Sequence, residues 1–215
     1  MTDHTIVRRI HLIRHGETNW NREKRAQGQQ DSVLTESGKQ QAADLRNRLA
    51  NFSFDAVYCS SSVRTRETAE ILFADSGLDI HYCDELREIH MGPWEGLLYA
   101  ELRLSHADQF YAFWNQPDQF ALDGAETYND VQQRALQKLQ RILDKDPARE
   151  LAIVSHGVVI KTLLCDIEQR PLSRLWDAPS MHNCAHSIID LYSDGSRRIS
   201  VYADQTYHHD RNNYQ

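Results

Sequence analysis

Two apolar runs in this chain each end in a histidine followed by a glycine, and this repeated pattern constrains the fold more than any other feature. The first run reads LIRHGET over Leu12–Thr18, and the second reads IVSHG over Ile153–Gly157. Apolar runs without polar interruption are typical of strands that are covered on both faces. Ligands bind beyond the carboxyl ends of such strands. Both histidines are therefore predicted to lie at one site, at the carboxyl edge of a sheet.

Composition limits the classes of protein that fit. The chain has 215 residues, 40% of them hydrophobic and 26% charged, so we predict one folded domain over residues 1–215. A net charge of −7 argues against general binding to nucleic acid or to an anionic membrane. The four cysteines are widely spaced and form no Cys-x-x-Cys pair, which favours free thiols in a reducing, cytoplasmic compartment. Neither a leader peptide nor a membrane span is expected.

Strand and helix patterns alternate along the chain. Strands are expected at Arg9–Ile13, Phe54–Cys59, Leu78–Tyr82 and Leu151–Val154, with a C-terminal hairpin over Ser187–Tyr192 and Arg198–Tyr202. Helices are expected from Thr35 to about Ala50, from Ser60–Ser62 to about Phe73, over Thr127–Leu143 and over Val158–Leu164. Residues 17–33 are expected to form a polar loop. The alternation predicts an α/β fold: a three-layer α/β/α sandwich with a mostly parallel central sheet.

Residues 84–125 differ from the rest and are interpreted as an insertion that covers the site. They contain glycine, proline and many aromatic residues, with few periodic runs. Two interpretations stay open: the aromatic side chains form an apolar rim for the substrate, or they form a small core of the insertion itself. These residues are Trp94, Tyr99, Phe110, Tyr111, Phe113, Trp114 and Phe120.

Two arginines, Arg14 and Arg64, follow expected strands and indicate an anion site. Arg14 precedes His15, and an arginine at the end of a buried strand is costly unless it meets an anion. Arg64 lies near the start of a helix that follows a strand, where free N–H groups and the positive dipole end also attract an anion. Each of these guanidinium groups could bind a phosphate through two parallel hydrogen bonds. Asn21 and Gln27 add neutral donors, and an imidazole can attack phosphorus.

Two further segments offer a proton donor and a second anion contact. Glu88 is the candidate acid: a carboxyl group near two arginines normally stays ionised, but a bound phosphate dianion favours its protonated form. Glu95, between a tryptophan and a glycine, is the rival, and it fits a structural turn equally well. His156 and the N–H of Gly157 lie at a strand–helix junction, which is a ready anion site.

The other histidines are interpreted as surface or structural residues. His182 could line a pocket, because its segment is otherwise unassigned. His208 and His209 could bind a stray metal ion, but no third ligand is evident, and no metal site is predicted.

These segments, in this order, resemble the histidine phosphatase superfamily, also called the phosphoglycerate mutase-like family. The resemblance extends from about residue 8 to about residue 205 and is strongest to the broad-specificity phosphatase branch. It rests on four motifs: RHGET at Arg14–Thr18, S-x-x-x-R-T-x-x-T-A ending at Ala69, G-x-W-E-G at Gly92–Gly96, and SHG at Ser155–Gly157.

The resemblance implies a mechanism without metal or cofactor. His15 would be the nucleophile and would form a phosphohistidine, and Glu88 would protonate the leaving alcohol and then activate water. The phosphoryl oxygens would be held by cationic and neutral donors: Arg14, Arg64, His156, Asn21 and Gln27. The substrate would be a small-molecule phosphate ester.

Two alternatives to hydrolysis remain. A cofactor-dependent phosphoglycerate mutase would retain a bisphosphate under a C-terminal lid. No lid is visible, since the sequence ends soon after the last expected strand, so hydrolysis is favoured. A non-catalytic phosphate-binding module would be expected to lack a catalytic residue. The five residues that the resemblance implies as catalytic are all present: His15, Arg14, Arg64, Glu88 and His156. A homodimer through a sheet edge at Arg198–Tyr202 is also open.

Overall fold

A seven-stranded sheet organises the protein in the computed structural model, which describes residues 5–207. The strand order is β3-β2-β4-β1-β5-β6-β7, parallel from β3 to β1 and antiparallel from β1 to β7. The strands are β1 (Ile6–Arg14), β2 (Ala56–Ser60), β3 (Ile80–Cys83), β4 (Glu150–Ser155), β5 (His186–Tyr192), β6 (Arg197–Tyr202) and β7 (Gln205–Thr206). The four parallel strands extend from the edge strand β3 to β1, so the core of the sheet is mostly parallel, as the sequence predicts.

Helices cover both faces of the sheet, so the predicted three-layer α/β/α arrangement is confirmed. They are α1 (Asn19–Glu23), α2 (Glu36–Arg48), α3 (Val63–Leu72), α4 (Tyr99–Ser105), α5 (Ala107–Asn115), α6 (Tyr128–Lys145) and α7 (Gly157–Glu168). One apolar core lies between α2, α3 and one face of the sheet. A larger core lies on the other face, between α6, α7 and the segment 84–125.

The sequence-based boundaries differ from the structure in two segments. Residues 17–33, expected as a loop, contain the short helix α1, which begins with a capping box between Thr18 and Asn21. The segment 84–125 contains the helices α4 and α5, which the sequence pattern did not reveal. Both helices are short and pack through aromatic side chains. Short helices give too few turns for the apolar repeat to stand out.

The C-terminal hairpin of β5 and β6 forms as expected, but Arg198–Tyr202 is not the end of the sheet. Strand β7 pairs with Val201 and Tyr202 of β6 and covers that part of its edge. Among the helices of residues 5–207, none is long and apolar enough to cross a membrane.

Candidate active site

The two His-Gly turns meet at the carboxyl ends of β1 and β4. These strands are adjacent and parallel, with Arg14 opposite Ser155. The amide of His15 donates to the carbonyl of Ser155 at 3.1 Å, and the ring centroids of His15 and His156 are 5.3 Å apart. The register of two parallel strands therefore brings together histidines that are far apart in the sequence.

His15 is held as a neutral imidazole. It is 3% exposed, and its Nδ1 lies 2.7 Å from the carbonyl oxygen of Gly16. Since a carbonyl can only accept, Nδ1 carries the hydrogen and Nε2 keeps its lone pair for the cavity that His15 lines. Burial lowers the pKa of His15 well below its usual 6.5, and the charges of Arg64 and Arg14 lower it further.

Arg14 and Arg64 bring positive charge to the same cavity. Arg64 is 1% exposed, and its terminal nitrogens donate to the carbonyls of Gln30 at 2.9 Å and Gly28 at 2.8 Å. One terminal nitrogen of Arg14 donates to the carbonyl of Met181 at 2.5 Å. Within the described residues, the buried Nε atoms of both arginines have no hydrogen-bond partner. Buried donors without partners fit a site that a bound anion completes.

Asn21 and Gln27 also line the cavity, with their amide oxygens already occupied. Asn21 Oδ1 accepts from the amide of Thr18 at 3.1 Å, and Gln27 Oε1 accepts from the hydroxyl groups of Thr18 at 3.1 Å and Ser32 at 2.7 Å. Because these donors fix the amide orientations, both side chains are left to present N–H groups to the cavity.

Glu88 lies at the cavity opposite the arginine charges. Its Oε2 accepts from the amide of Val158 at 3.2 Å, and its Oε1 accepts from the amide of Ile89 at 3.0 Å. A Cβ atom added to Gly157 would lie 3.7 Å from Arg14 Nε and 3.9 Å from Glu88 Oε2. Gly157 therefore borders the space between the arginine and the carboxylate, which any larger residue would narrow.

The ring of His156, at the N-cap of α7, packs edge-on against that of His15 and is fully buried, so it is not among the residues that line the cavity. Its Nε2 is 2.7 Å from the hydroxyl oxygen of Ser60, and its Nδ1 is buried without a partner among residues 5–207. Burial lowers the pKa of His156 well below 6.5, and the charge of Arg64 lowers it further. This histidine is thus neutral as well.

Aromatic residues form much of the remaining wall of the cavity, whose volume is about 370 Å³. Tyr99, Phe113, Trp114 and Trp176 line it, whereas Trp94, Phe110 and Phe120 are buried in the larger core. The core interpretation of the insertion therefore holds for these three side chains, and a role of the cavity-lining rings as a rim for the substrate stays a prediction. Trp176, which the sequence analysis did not single out, packs on Trp114 with ring centroids 4.8 Å apart and donates from Nε1 to the carbonyl of Phe113.

Several residues that position this site gave little sequence signal. The Thr68 hydroxyl accepts from the amide of Gly16 at 3.0 Å and donates to the carbonyl of Arg64 at 2.7 Å, so it joins α3 to the first His-Gly turn. Asn183 donates to the carbonyl of His15 at 3.3 Å and to Asn21 Oδ1 at 3.1 Å. Thr68 lies within the second quoted motif, but nothing in the sequence marked Asn183.

Arg134 of α6 holds the segment that carries Glu88. It donates to the backbone carbonyls of Glu85 at 2.9 Å, Arg87 at 2.6 Å and Glu88 at 3.0 Å. Its Nε also lies 2.7 Å from the carboxylate of Glu126. A single guanidinium on the neighbouring helix therefore fixes the backbone of this loop.

The remaining candidates have structural or surface positions. Glu95 Oε1 accepts from the amides of Gln29 at 2.8 Å and Met91 at 3.0 Å, so it stabilises turns, as its alternative interpretation held. His182 does not line the cavity; its Nε2 lies 3.0 Å from the carboxylate of Asp204 at the surface. His208 and His209 lie outside the described residues. Within residues 5–207, no three histidine, cysteine, aspartate or glutamate side chains are grouped to hold a metal ion.

His15, two buried arginines and Glu88 line one cavity, and His156 packs against His15, an arrangement suited to the class of enzymes that bind and transfer a phosphoryl group. The sequence model of the histidine phosphatase superfamily (branch 1) matches residues 10–205. The chain belongs to this superfamily, and solved relatives that are named as phosphatases support a phosphatase.

Known relatives agree with this assignment. The chain is 33% identical over 198 residues to phosphoglycerate mutase-like protein 4 of Arabidopsis thaliana, covering 91% of this chain and 84% of that protein. It is similar to the solved structure of Bacillus stearothermophilus YhfR, with 40% identity, a TM-score of 0.88, and coverage of 94% of this chain and 99% of that one. A mycobacterial glucosyl-3-phosphoglycerate phosphatase in complex with VO3 has 27% identity and a TM-score of 0.83, covering 91% of this chain and 98% of that one.

Proposed function

We propose that this protein is a metal-independent phosphomonoesterase that hydrolyses small-molecule phosphate esters through a phosphohistidine on His15. The observation that carries the proposal is the hydrogen bond from His15 Nδ1 to the Gly16 carbonyl, 2.7 Å long. It leaves Nε2 as an unprotonated nitrogen in a cavity that Arg14 and Arg64 also line. A nucleophile must be neutral to attack phosphorus, and the lowered pKa of His15 supports this.

The cavity offers the donors that a transferring phosphoryl group requires. The group carries dense negative charge on its equatorial oxygens, and fixed cations supply most of the rate gain. Arg14 and Arg64 would provide these cations, with the side-chain amides of Asn21 and Gln27 as neutral donors. His156 would contact an oxygen through Nδ1, the nitrogen that Ser60 does not occupy.

Glu88 would act as the acid and then as the base. In the first step His15 Nε2 attacks phosphorus, the ester P–O bond breaks, and protonated Glu88 gives its proton to the leaving oxygen. In the second step ionised Glu88 takes a proton from water, the water oxygen attacks phosphorus, and the P–N bond to His15 breaks. Phosphate leaves, and both side chains return to their initial states.

A phosphoglycerate mutase is the second candidate, because the curated relatives include phosphoglycerate mutase-like protein 4 of Arabidopsis thaliana. The same phosphohistidine would then pass its phosphoryl group to a second hydroxyl group in place of water. That reaction needs a bisphosphate primer, which hydrolysis does not.

The test is phosphate release from a panel of phosphomonoesters in the presence of a chelator. Wild-type protein is expected to release phosphate and His15→Ala is expected to release none. His81→Ala, which removes an exposed histidine of β3, serves as the matched control and should retain activity. An acid-labile, base-stable phosphoryl label on the wild type, absent from His15→Ala, would identify the intermediate.

Three outcomes would contradict the proposal. Turnover by His15→Ala close to wild type would remove the phosphohistidine mechanism. Activity that disappears in chelator would remove the metal-independent one. Release from no ester, with primed conversion of 3-phosphoglycerate to 2-phosphoglycerate, would favour the mutase, and ester binding without either reaction would favour a phosphate-binding module.

A further inference from the structure

Lys161 is a third cation at the cavity, and the proposed reaction does not use it. It lies on α7 four residues after Gly157, which places it on the same helix face, about 6 Å further along the axis. Its side chain lines the cavity and is 1% exposed. The proposed reaction assigns Arg14 and Arg64 to the phosphoryl group, so Lys161, one helical turn beyond Gly157, is a cation left for the rest of the substrate.

The ammonium of Lys161 is only partly satisfied by the protein. Nζ donates to the carbonyls of Asp177 at 2.7 Å and Pro179 at 3.1 Å. It lies 5.9 Å from the ring centroid of Trp176 and 5.7 Å from that of Tyr202. An ammonium has three N–H donors, so these two carbonyls leave one without an acceptor in the described part of the chain.

The charge of Lys161 also lacks a counter-ion. Among residues 5–207, no carboxylate lies within ion-pair distance of Nζ, although Glu168 on the same helix is nearby and pairs instead with Arg170 at 2.9 Å. A buried cation without a partner anion is costly. The energetic cost is offset when an anionic ligand enters the cavity and approaches this nitrogen.

We propose that Lys161 binds a carboxylate of the leaving group, so that the preferred substrates are phosphate esters of hydroxy acids. The inference rests on the proposed phosphatase function and adds the substrate class to it. A carboxylate fits better than a second phosphate, since Trp176, whose ring lies 5.9 Å from Nζ, and Trp114, which packs on it, supply apolar rings rather than further cations. One ammonium matches one negative charge, whereas a phosphate dianion would need further donors.

The experiment compares two esters that differ only in the carboxylate. 3-Phosphoglycerate carries a carboxylate where glycerol 3-phosphate carries a hydroxymethyl group. The ratio of their kcat/KM values is expected to favour 3-phosphoglycerate in the wild type and to fall roughly 10- to 100-fold in Lys161→Met, mainly through KM, because a charge-assisted hydrogen bond is lost. Lys161→Gln removes the charge but keeps donors for the two backbone carbonyls, and it should lower the ratio similarly.

Lys39→Met is the matched control, because Lys39 is an exposed lysine of α2 that does not line the cavity. This variant should keep the wild-type ratio. The proposal is overturned if the wild type does not prefer 3-phosphoglycerate. It is also overturned if both Lys161 variants lower the two kcat/KM values equally, since Lys161 would then only hold the loop at Asp177–Pro179.

Failure of the proposed function is distinguishable from failure of this inference. Hydrolysis of p-nitrophenyl phosphate reports phosphatase activity without a carboxylate. If no ester is hydrolysed, the phosphatase proposal fails, and calorimetric Kd values for the same two esters test Lys161 directly. The wild type should then bind 3-phosphoglycerate more tightly than glycerol 3-phosphate, and Lys161→Met should remove that difference; equal Kd values in the wild type would refute the inference.

Discussion

The state of His15 depends first on its burial and only then on its charged neighbours. Arg14 precedes His15 in the sequence, but desolvation lowers the pKa of His15 more than the charge of Arg64 or Arg14 does. A change at either arginine should therefore disturb phosphate binding more than the protonation of the nucleophile. Burial could not be read from the motif, because a strand-end residue can lie inside the protein or at its surface.

At the residue scale, Gly157 gives a test that separates function from stability. An added methyl group would lie at ordinary contact distance from Arg14 and Glu88, so Gly157→Ala is compatible with the fold. Alanine also favours helical backbone over glycine, although the gain at the first residue of α7 is smaller than the roughly 1 kcal/mol of a helix interior. The methyl group would occupy space that the substrate needs. We expect kcat/KM to fall about tenfold or more while the unfolding temperature is unchanged or higher.

Measurement of both quantities on the same preparation checks this prediction. Wild-type kcat/KM in Gly157→Ala would show that substrate does not occupy the space between Arg14 and Glu88. A large fall in unfolding temperature would show that the glycine serves the backbone instead.

At the scale of elements, the sequence predicted the sheet core and the catalytic strand ends but not the supports around them. Apolar runs and capping residues mark β1, β4, α2 and α6, because each is long or uninterrupted. Close approaches leave no such mark: a Cβ atom on Gly16 would come within 2.5 Å of the carbonyl oxygen of Gly38, so α2 packs directly on the first His-Gly turn. Such contacts depend on tertiary geometry between residues that show no periodicity.

Arg134 tests whether one helix positions the acid on a neighbouring loop. In Arg134→Met the carbonyls of Glu85, Arg87 and Glu88 lose their donor. We expect kcat to fall about 10- to 100-fold for alkyl esters, which need the acid, and less for p-nitrophenyl phosphate, whose leaving group does not. Kinetic measurements with both ester types check this.

Arg141→Met is the control for Arg134→Met. Arg141 is on the same helix and its side chain is 53% exposed. It approaches the carboxylate of Glu85 at 3.4 Å and donates to the carbonyl of Gln137 at 3.2 Å, and it does not contact the backbone that carries Glu88. Its kinetics should match the wild type. Equal losses for both ester types in Arg134→Met would mean that the arginine supports the fold in general rather than Glu88.

At the scale of the whole molecule, buried neutral histidines link folding to pH. Besides His15 and His156, a buried pair lies on the neighbouring strands β1 and β5: His11 Nδ1 is 2.8 Å from His186 Nε2, and His11 Nε2 is 2.6 Å from Glu150. Burial lowers the pKa of His11 and of His186 to about 3. The carboxylate of Glu150 does not raise the pKa of His11 back to its usual value, because it is partly exposed and also approaches Arg9, at 3.7 Å.

The sign of the resulting pH dependence follows from these pKa values. In the unfolded chain each imidazole binds a proton below about pH 6.5, whereas His11 and His186 stay neutral in the folded protein down to about pH 3. The folded state therefore loses stability as the pH falls from 6.5 toward 3. Each such histidine costs roughly 2 kcal/mol at pH 5 relative to neutral pH.

Urea unfolding at pH 7.5 and pH 5 measures this effect. The free energy of unfolding of the wild type should be clearly lower at pH 5. His186→Gln removes one titrating group and keeps an amide donor for His11, so its loss between the two pH values should be smaller by roughly 2 kcal/mol. Equal losses in both proteins would mean that His186 is already protonated in the folded state at pH 5.

The position of β1 has a consequence for how the enzyme fails on heating. This strand is paired on both sides, with β4 and β5, and the amides of Arg14 and His15 donate to Ala185 and Ser155 at 3.0 and 3.1 Å. Amides in doubly paired, buried strands exchange with solvent only when the whole molecule opens. The paired strands β1 and β4, which hold His15 and His156 at a fixed distance, should thus be among the last parts of the protein whose amides exchange with solvent. Loss of catalysis on heating should coincide with global melting rather than precede it.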